Sequence, residues 1–188
     1  ELQAIDVKAA LDMGAGSPFA EEMLDRISLG ALGIYSCPNI RLEAYAVKTN
    51  KLPSNPFAGM GLSQGNFAME NHVQRISQTL QMDPAEWKRS HIFRSGDSLQ
   101  IGTAIKDRVP SEELLDTLEA MSDYKRKRAS YELLRNGRTK DLSISNALLS
   151  GPLRGIGLSM GYQGGGFLSY GADTGKYSVE LTLEKDGN

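Results

Sequence analysis

The chain has 188 residues, 40% hydrophobic and 23% charged, with a formal net charge of −2, enough for one or two domains at roughly 150 residues each. The near-neutral charge argues against broad nucleic-acid binding, which needs a basic face. No apolar run approaches the ~18 residues of a membrane span and no signal peptide is visible, so a cytoplasmic chain without membrane contact is expected.

The first element is a half-buried strand. Ile5, Val7, Ala9 and Leu11 alternate with Asp6, Lys8 and Ala10. A second strand, roughly 40–49, carries Ile40, Leu42, Ala44 and Ala46 on one face and Arg41, Glu43 and Tyr45 on the other. It runs into a Pro/Gly loop in which Pro53 and Pro56 stiffen the approach and Gly59 and Gly61 let backbone come close to a ligand. Ser63 is placed to cap the helix that follows. A structural turn is the plain alternative for so short a Gly-x-Gly, since no phosphate-loop signature accompanies it.

The helix after the loop sets Met69, Val73, Ile76 and Leu80 on an apolar stripe, with Glu70, Gln74 and Gln78 on its solvated face. The next begins at Asp83, with Pro84 at the first helical position, Glu86 placed for a capping box and Trp87 packed inward. From 97 to 150 the pattern is helical and charged. Ser111 is an N-cap, Leu114, Leu118 and Met121 form a buried stripe, and Asp123 opens a further helix that Gly137 closes. The basic run Lys125–Arg128 spreads around that helix as a solvated face.

A glycine-rich stretch, 155–168, reads as a flexible hairpin connection. Tyr177, Val179, Leu181 and Leu183 then alternate as a strand that meets an Asp186–Gly187–Asn188 turn without a return strand. With a start that lacks Met, this reads as an internal piece of something larger. One cysteine, Cys37, and two histidines exclude an intrachain disulfide and are too few for a structural zinc or an iron–sulfur cluster. Any metal is expected to be held by a cofactor, with no metal ligands in this chain. Glu43 and Glu70 read as solvated rather than as an acid–base pair, and His72 has no third partner, so no nucleophile–base–orienter set can be assembled.

The passage PNIRLEAYAVKTNKLPSNPFAGMGLSQGNFAMENHV, with LDRISLGALGIYSCPNIRLEA upstream and DPAEWKRSHIFRSGD and GPLRGIGLSMGYQGGGFLSYG downstream, resembles the large molybdenum subunit of the xanthine dehydrogenase and aldehyde oxidase family. The matches come in the family's order. The resemblance implies an α+β fold with mixed sheets and amphipathic helices, divided into 1–96 (end of a first molybdopterin-binding domain), 97–150 (helical connector) and 151–188 (start of a second). It implies a parent oxidoreductase that hydroxylates N-heterocycles or aldehydes. That parent would use molybdopterin here and [2Fe-2S] clusters and FAD on other domains or subunits, with homo-oligomerisation left open. The isolated piece is expected to be inactive and to bind none of these cofactors, because the base glutamate of the family lies downstream of Asn188.

Carried over residue by residue, the resemblance places the cofactor on Phe57, Ala58, Gly59 and Gln64. Arg26 becomes a contact that steadies charge developing on the substrate, and Met60, Phe167 and Leu168 become substrate contacts. The family's loop reads FRGFG where this chain has Phe57-Ala58-Gly59-Met60-Gly61. An Ala keeps the backbone N–H, but Met60 cannot stack as an aromatic does, which opens the substrate choice. Two other readings stand beside this one: a non-catalytic paralogue in which the site has decayed, and a small nucleic-acid module built on Lys125–Arg128.

Overall fold

The structure is a computed structural model that describes residues 2–99, 102, 104–139, 152, 154–163 and 182. Strands β1 (Ile5–Asp12) and β2 (Ile40–Val47) pair in parallel, from Ile5 opposite Ile40 to Asp12 opposite Val47. Parallel neighbours need a crossover, and α1 (Ala20–Leu32) supplies it. In β1 the expected alternation holds, with Ile5, Val7, Ala9 and Leu11 partly buried and Asp6, Lys8 and Ala10 exposed. The second strand stops at Val47, before the expected Thr49, and Ala46 is exposed rather than inward. Mixed helix and strand agree with the α+β expectation. The expected strand over 177–183 falls outside the described residues apart from Thr182.

Four helices follow: α2 (Leu62–Thr79), α3 (Pro84–His91), α4 (Ser111–Ser122) and α5 (Tyr124–Thr139). Helices α1 and α2 meet backbone to backbone through two glycines. A Cβ on Gly65 would lie 2.4 Å from the Ile27 carbonyl oxygen and 2.6 Å from the Ala31 nitrogen. One on Gly30 would lie 2.5 Å from the Leu62 carbonyl oxygen. Below this crossing Ile34, Tyr35, Met69, Val73, Trp87, Ile92 and Phe93 form the core. Tyr35 meets Trp87 edge to face at 5.3 Å, and Trp87 stacks on His91 at 4.2 Å, the arrangements aromatic quadrupoles favour.

The stripe of α2 is met by Met69, Val73 and, partly, Ile76, but Leu80 lies past the helix end and is exposed. Helix α3 starts as expected, with the Asp83 carboxylate accepting the Ala85 N–H at 2.7 Å and Pro84 at the first position. In α4 the expected stripe is wrong by one position. Leu114, Leu118 and Met121 are exposed, and Leu115 is the buried residue, packed with Ala85 and Tyr124. Ser111 makes no capping bond, because the helix begins on it and Pro110 precedes. Asp123 takes a left-handed turn, φ 53°, between α4 and α5. Its carbonyl accepts the Lys127 N–H, but α5 continues through Gly137 to Thr139, since glycine adopts the helical φ as readily as the left-handed one. Leu115→Ala should cost about 2 kcal/mol in urea unfolding, while Leu118→Ala should cost little.

The basic run on α5 is divided. Arg126 is exposed and pairs with Asp123, whereas Arg128 is drawn inward to Asp83 at 3.1 Å and Glu132 at 2.8 Å. A uniformly solvated face is therefore corrected at Arg128, whose charge is spent within the protein.

Candidate functional site

The Pro/Gly loop is tied down by the end of β1. The Asp12 carboxylate accepts from the Gly14 N–H at 3.0 Å, the Thr49 hydroxyl at 2.6 Å and the Lys51 ammonium at 2.6 Å, and the Asp12 carbonyl accepts from the Ser54 hydroxyl at 2.9 Å. The Lys51 ammonium first, then the Thr49 hydroxyl and the Gly14 N–H, hold this carboxyl well below the usual carboxylate range. A carboxyl lowered by folding stabilises the fold above its unfolded value, near 3.8, and loses that effect only as the pH falls through the lower folded value. The tie should thus be intact at pH 7 and at pH 5. Asp12→Ala should release it at both, read as faster tryptic cleavage after Lys51.

Beyond this tie the chain turns twice. The Met60 N–H donates to the Phe57 carbonyl at 2.8 Å and the Leu62 N–H to the Gly59 carbonyl at 2.9 Å. Gly59, Met60 and Gly61 all have positive φ, 89°, 47° and 100°. A run of left-handed residues is costly for anything with a Cβ, so Met60 is held there by its neighbours. Gly61 also packs against α1, where a Cβ would lie 2.8 Å from the Met23 carbonyl oxygen. The two glycines thus serve the turn and the helix contact, while Phe57 is 88% exposed and Ala58 is exposed too.

Ser63 does not cap α2. Gly61 takes the capping position without a side chain, and Ser63 lies inside the first turn, where its hydroxyl donates to Gln64 at 3.0 Å. The first turn of α2 carries no acidic residue and exposes Ser63 and Gln64, a setting that suits an anionic group. The turn of α1 that packs on Gly61 also carries Arg26, whose Nε donates to Glu22 at 2.5 Å in a mostly buried pair. The corner and the Arg26 turn are therefore neighbours. Gln64 is exposed beside the corner. Phe167 and Leu168 lie outside the described residues. Glu43 sits on the sheet face with Lys8, Arg41 and Tyr45, and His72 is exposed. Among the described residues no group of three or more His, Cys, Asp or Glu is arranged to hold a metal ion.

The solvated reading of Glu70 is overturned. Its carboxylate accepts from the Tyr35 hydroxyl, from the Lys88 ammonium at 2.5 Å and from the Met160 N–H at 2.9 Å. Lys88 also reaches the Tyr35 oxygen at 3.0 Å and is 1% exposed. Burial pulls the Lys88 ammonium below its usual range although Glu70 supports its charge, and burial, with Glu70 alongside, pushes the Tyr35 phenol well above its own. The sequence shows none of these links, because α2 alone reads as amphipathic. The segment 154–163 runs along α2, with Gly161 against Asn66 and Ile156, Leu158 and Met160 over the Leu115 cluster. Between the segment and α2 lies an open cleft of about 630 Å³, lined by Ser63, Asn66, Phe67 and Glu70 on the helix and by Gly157–Gly161 opposite.

Residues 1–92, which include β1, the Arg26 helix and the whole corner, match the family described as the molybdopterin cofactor-binding domain. The chain is 36% identical over 121 residues to a probable xanthine dehydrogenase component of Bacillus subtilis, covering 64% of this chain and 16% of that protein. It is 30% identical over 118 residues to the nicotinate dehydrogenase large molybdopterin subunit of Eubacterium barkeri, covering 63% of this chain and 27% of that protein. The solved aldehyde oxidoreductase of Desulfovibrio desulfuricans superposes with a TM-score of 0.61 at 25% identity, over 66% of this chain and 14% of its own. This chain thus spans a quarter or less of most of these proteins.

Proposed function

We propose, from the match of residues 1–92 to the molybdopterin cofactor-binding domain family, that this chain forms one wall of the cofactor and substrate pocket of a xanthine dehydrogenase- or aldehyde oxidase-type hydroxylase. The observation that carries this is that the matched residues are the ones that build the open corner at Phe57–Gly61. The rest of the pocket comes from further segments of the same enzyme, and electrons leave through iron–sulfur and FAD domains or subunits. Within the chain, residues 1–96 close the first molybdopterin-binding domain, 97–150 connect, and 151–188 begin the second.

Molybdopterin, when bound, supplies the oxygen-transfer and two-electron chemistry that side chains lack. The chain's residues bind and orient. Phe57, Ala58 and Gly59, with Gln64 and the first turn of α2, hold the anionic cofactor. Arg26, steadied by its mostly buried pair with Glu22, is the residue we assign to the negative charge that develops on the substrate, a type of donor worth about 3–4 kcal/mol of barrier. Met60, Phe167 and Leu168 shape the substrate side. With Met60 in place of an aromatic, ring stacking is weaker and the choice between purine-like N-heterocycles and aldehydes is relaxed.

The full-length protein, made in cells competent for the cofactor, should oxidise an aldehyde or an N-heterocycle such as a purine or nicotinate with a dye as electron acceptor. Arg26→Gln should lower kcat/KM per bound molybdenum by roughly 100- to 1,000-fold. A molybdenum-loaded protein that oxidises none of these substrates would instead support the decayed, non-catalytic paralogue.

A further inference from the structure

Glu70 lies about two turns along α2 from the corner, a rise of roughly 12 Å from Leu62. From there its carboxylate does two jobs. It neutralises Lys88, which is buried on α3, and it accepts the backbone N–H of Met160, 90 positions away in sequence. The hydroxyl of Tyr35, on the stretch between α1 and β2, donates to the other carboxylate oxygen. One side chain thus joins α2, α3, the end of the α1 unit and the 154–163 segment. The carboxylate is 10% exposed and Lys88 is 1% exposed, so water competes little for these bonds. Gly161, the residue after Met160, sits so close to Asn66 that an added Cβ would be 3.0 Å from its side-chain nitrogen. The segment is seated at two consecutive residues on the helix that starts at the corner.

We infer that Glu70 is a positioning residue for turnover: by gripping the Met160 N–H while anchored on Lys88 and Tyr35, it fixes how far the 154–163 segment stands from α2, and so sets the width of the cleft between them, which reaches Ser63 in the first turn after the corner. This rests on the functional reading above for its consequence in turnover, but not for the grip itself. The bond to a main-chain N–H fixes a backbone position whatever side chain follows. Lys88 and Tyr35 hold the carboxylate in one place, a preorganisation that a surface glutamate would lack.

The test uses the full-length protein and two variants. Lys88→Met removes the buried cation but leaves Glu70 to accept from Met160 and Tyr35. Glu70→Leu with Lys88→Met removes the grip without stranding a buried charge, so the double variant is expected to fold. Hydrogen exchange followed by mass spectrometry in peptides spanning 154–163 should show one amide exchanging roughly 10- to 100-fold faster in the double variant, the range for losing one charge-assisted hydrogen bond. The Lys88→Met variant, in which Tyr35 still anchors the carboxylate, should show a smaller increase. Per bound molybdenum, kcat/KM should fall roughly 100-fold in the double variant, as a misplacement near 1 Å does, and much less in Lys88→Met. Equal exchange in the double variant and the wild type would overturn the grip. Faster exchange with unaltered turnover per molybdenum would overturn the positioning role and leave a purely structural tie. Wild-type protein without molybdenum would overturn the functional reading, and with it the positioning claim, while the exchange comparison still decides the grip.

Discussion

Glu70→Leu alone is expected to destabilise the protein by about 3–5 kcal/mol, because it strands the Lys88 ammonium in the core. Lys88 is fully buried, and without Glu70 its remaining partner is the Tyr35 oxygen, a neutral group that cannot balance a charge. The reverse change should cost less. In Lys88→Met the carboxylate keeps the Tyr35 hydroxyl and the Met160 N–H, and an aliphatic chain fills the space of the lysine stem. The double variant should recover much of the loss, since a buried ion pair replaced by apolar groups of similar volume is often neutral or better. Urea unfolding of the wild type, the two single variants and the double gives the coupling directly. A Glu70→Leu protein as stable as the wild type would place Lys88 in water and contradict the network.

Gly65→Ala should destabilise by about 3 kcal/mol, the upper end for overpacking. At an exposed helical position the same change stabilises by up to about 1 kcal/mol, so the sign itself is diagnostic. The reason is that the three atoms nearest to the added methyl are all backbone of α1, the Ile27 carbonyl oxygen, the Ala31 nitrogen and the Gly30 carbonyl carbon, the farthest at 2.8 Å. Backbone in a helix cannot rotate aside as a side chain can, so α2 must move away from α1. That movement carries the corner with it, because Gly61 caps α2 and packs on the Met23 turn of α1. Thermal unfolding should report the stability change, and weakened cofactor retention should accompany it. A melting temperature at or above that of the wild type would show that the helices do not cross so closely.

What the sequence revealed was local. The alternation of β1, the start of α3 at Asp83 and Pro84 and the inward Trp87 are set by neighbours within a few residues, and periodicity and capping chemistry read such neighbours directly. The corner at Phe57–Gly61 was visible for the same reason, through its prolines and glycines. The α4 stripe failed because two leucine registers lie side by side, and helical period alone cannot choose between Leu114–Leu118 and Leu115; what decides is that Ala85 and Tyr124 stand opposite Leu115. The Glu70 network was hidden because its partners are 18, 35 and 90 positions distant. The contact of α1 and α2 at Gly30 and Gly65 is likewise made between residues distant in sequence.

The central claim, that the corner at Phe57–Gly61 is part of a molybdopterin pocket, is tested most directly by metal analysis of the full-length protein purified from cells that make the cofactor. Stoichiometric molybdenum in the wild type, lost when Gly59→Val forces a β-branched residue into the left-handed turn, is the predicted result. Molybdenum absent from the wild type, or retained in full by Gly59→Val, would contradict it.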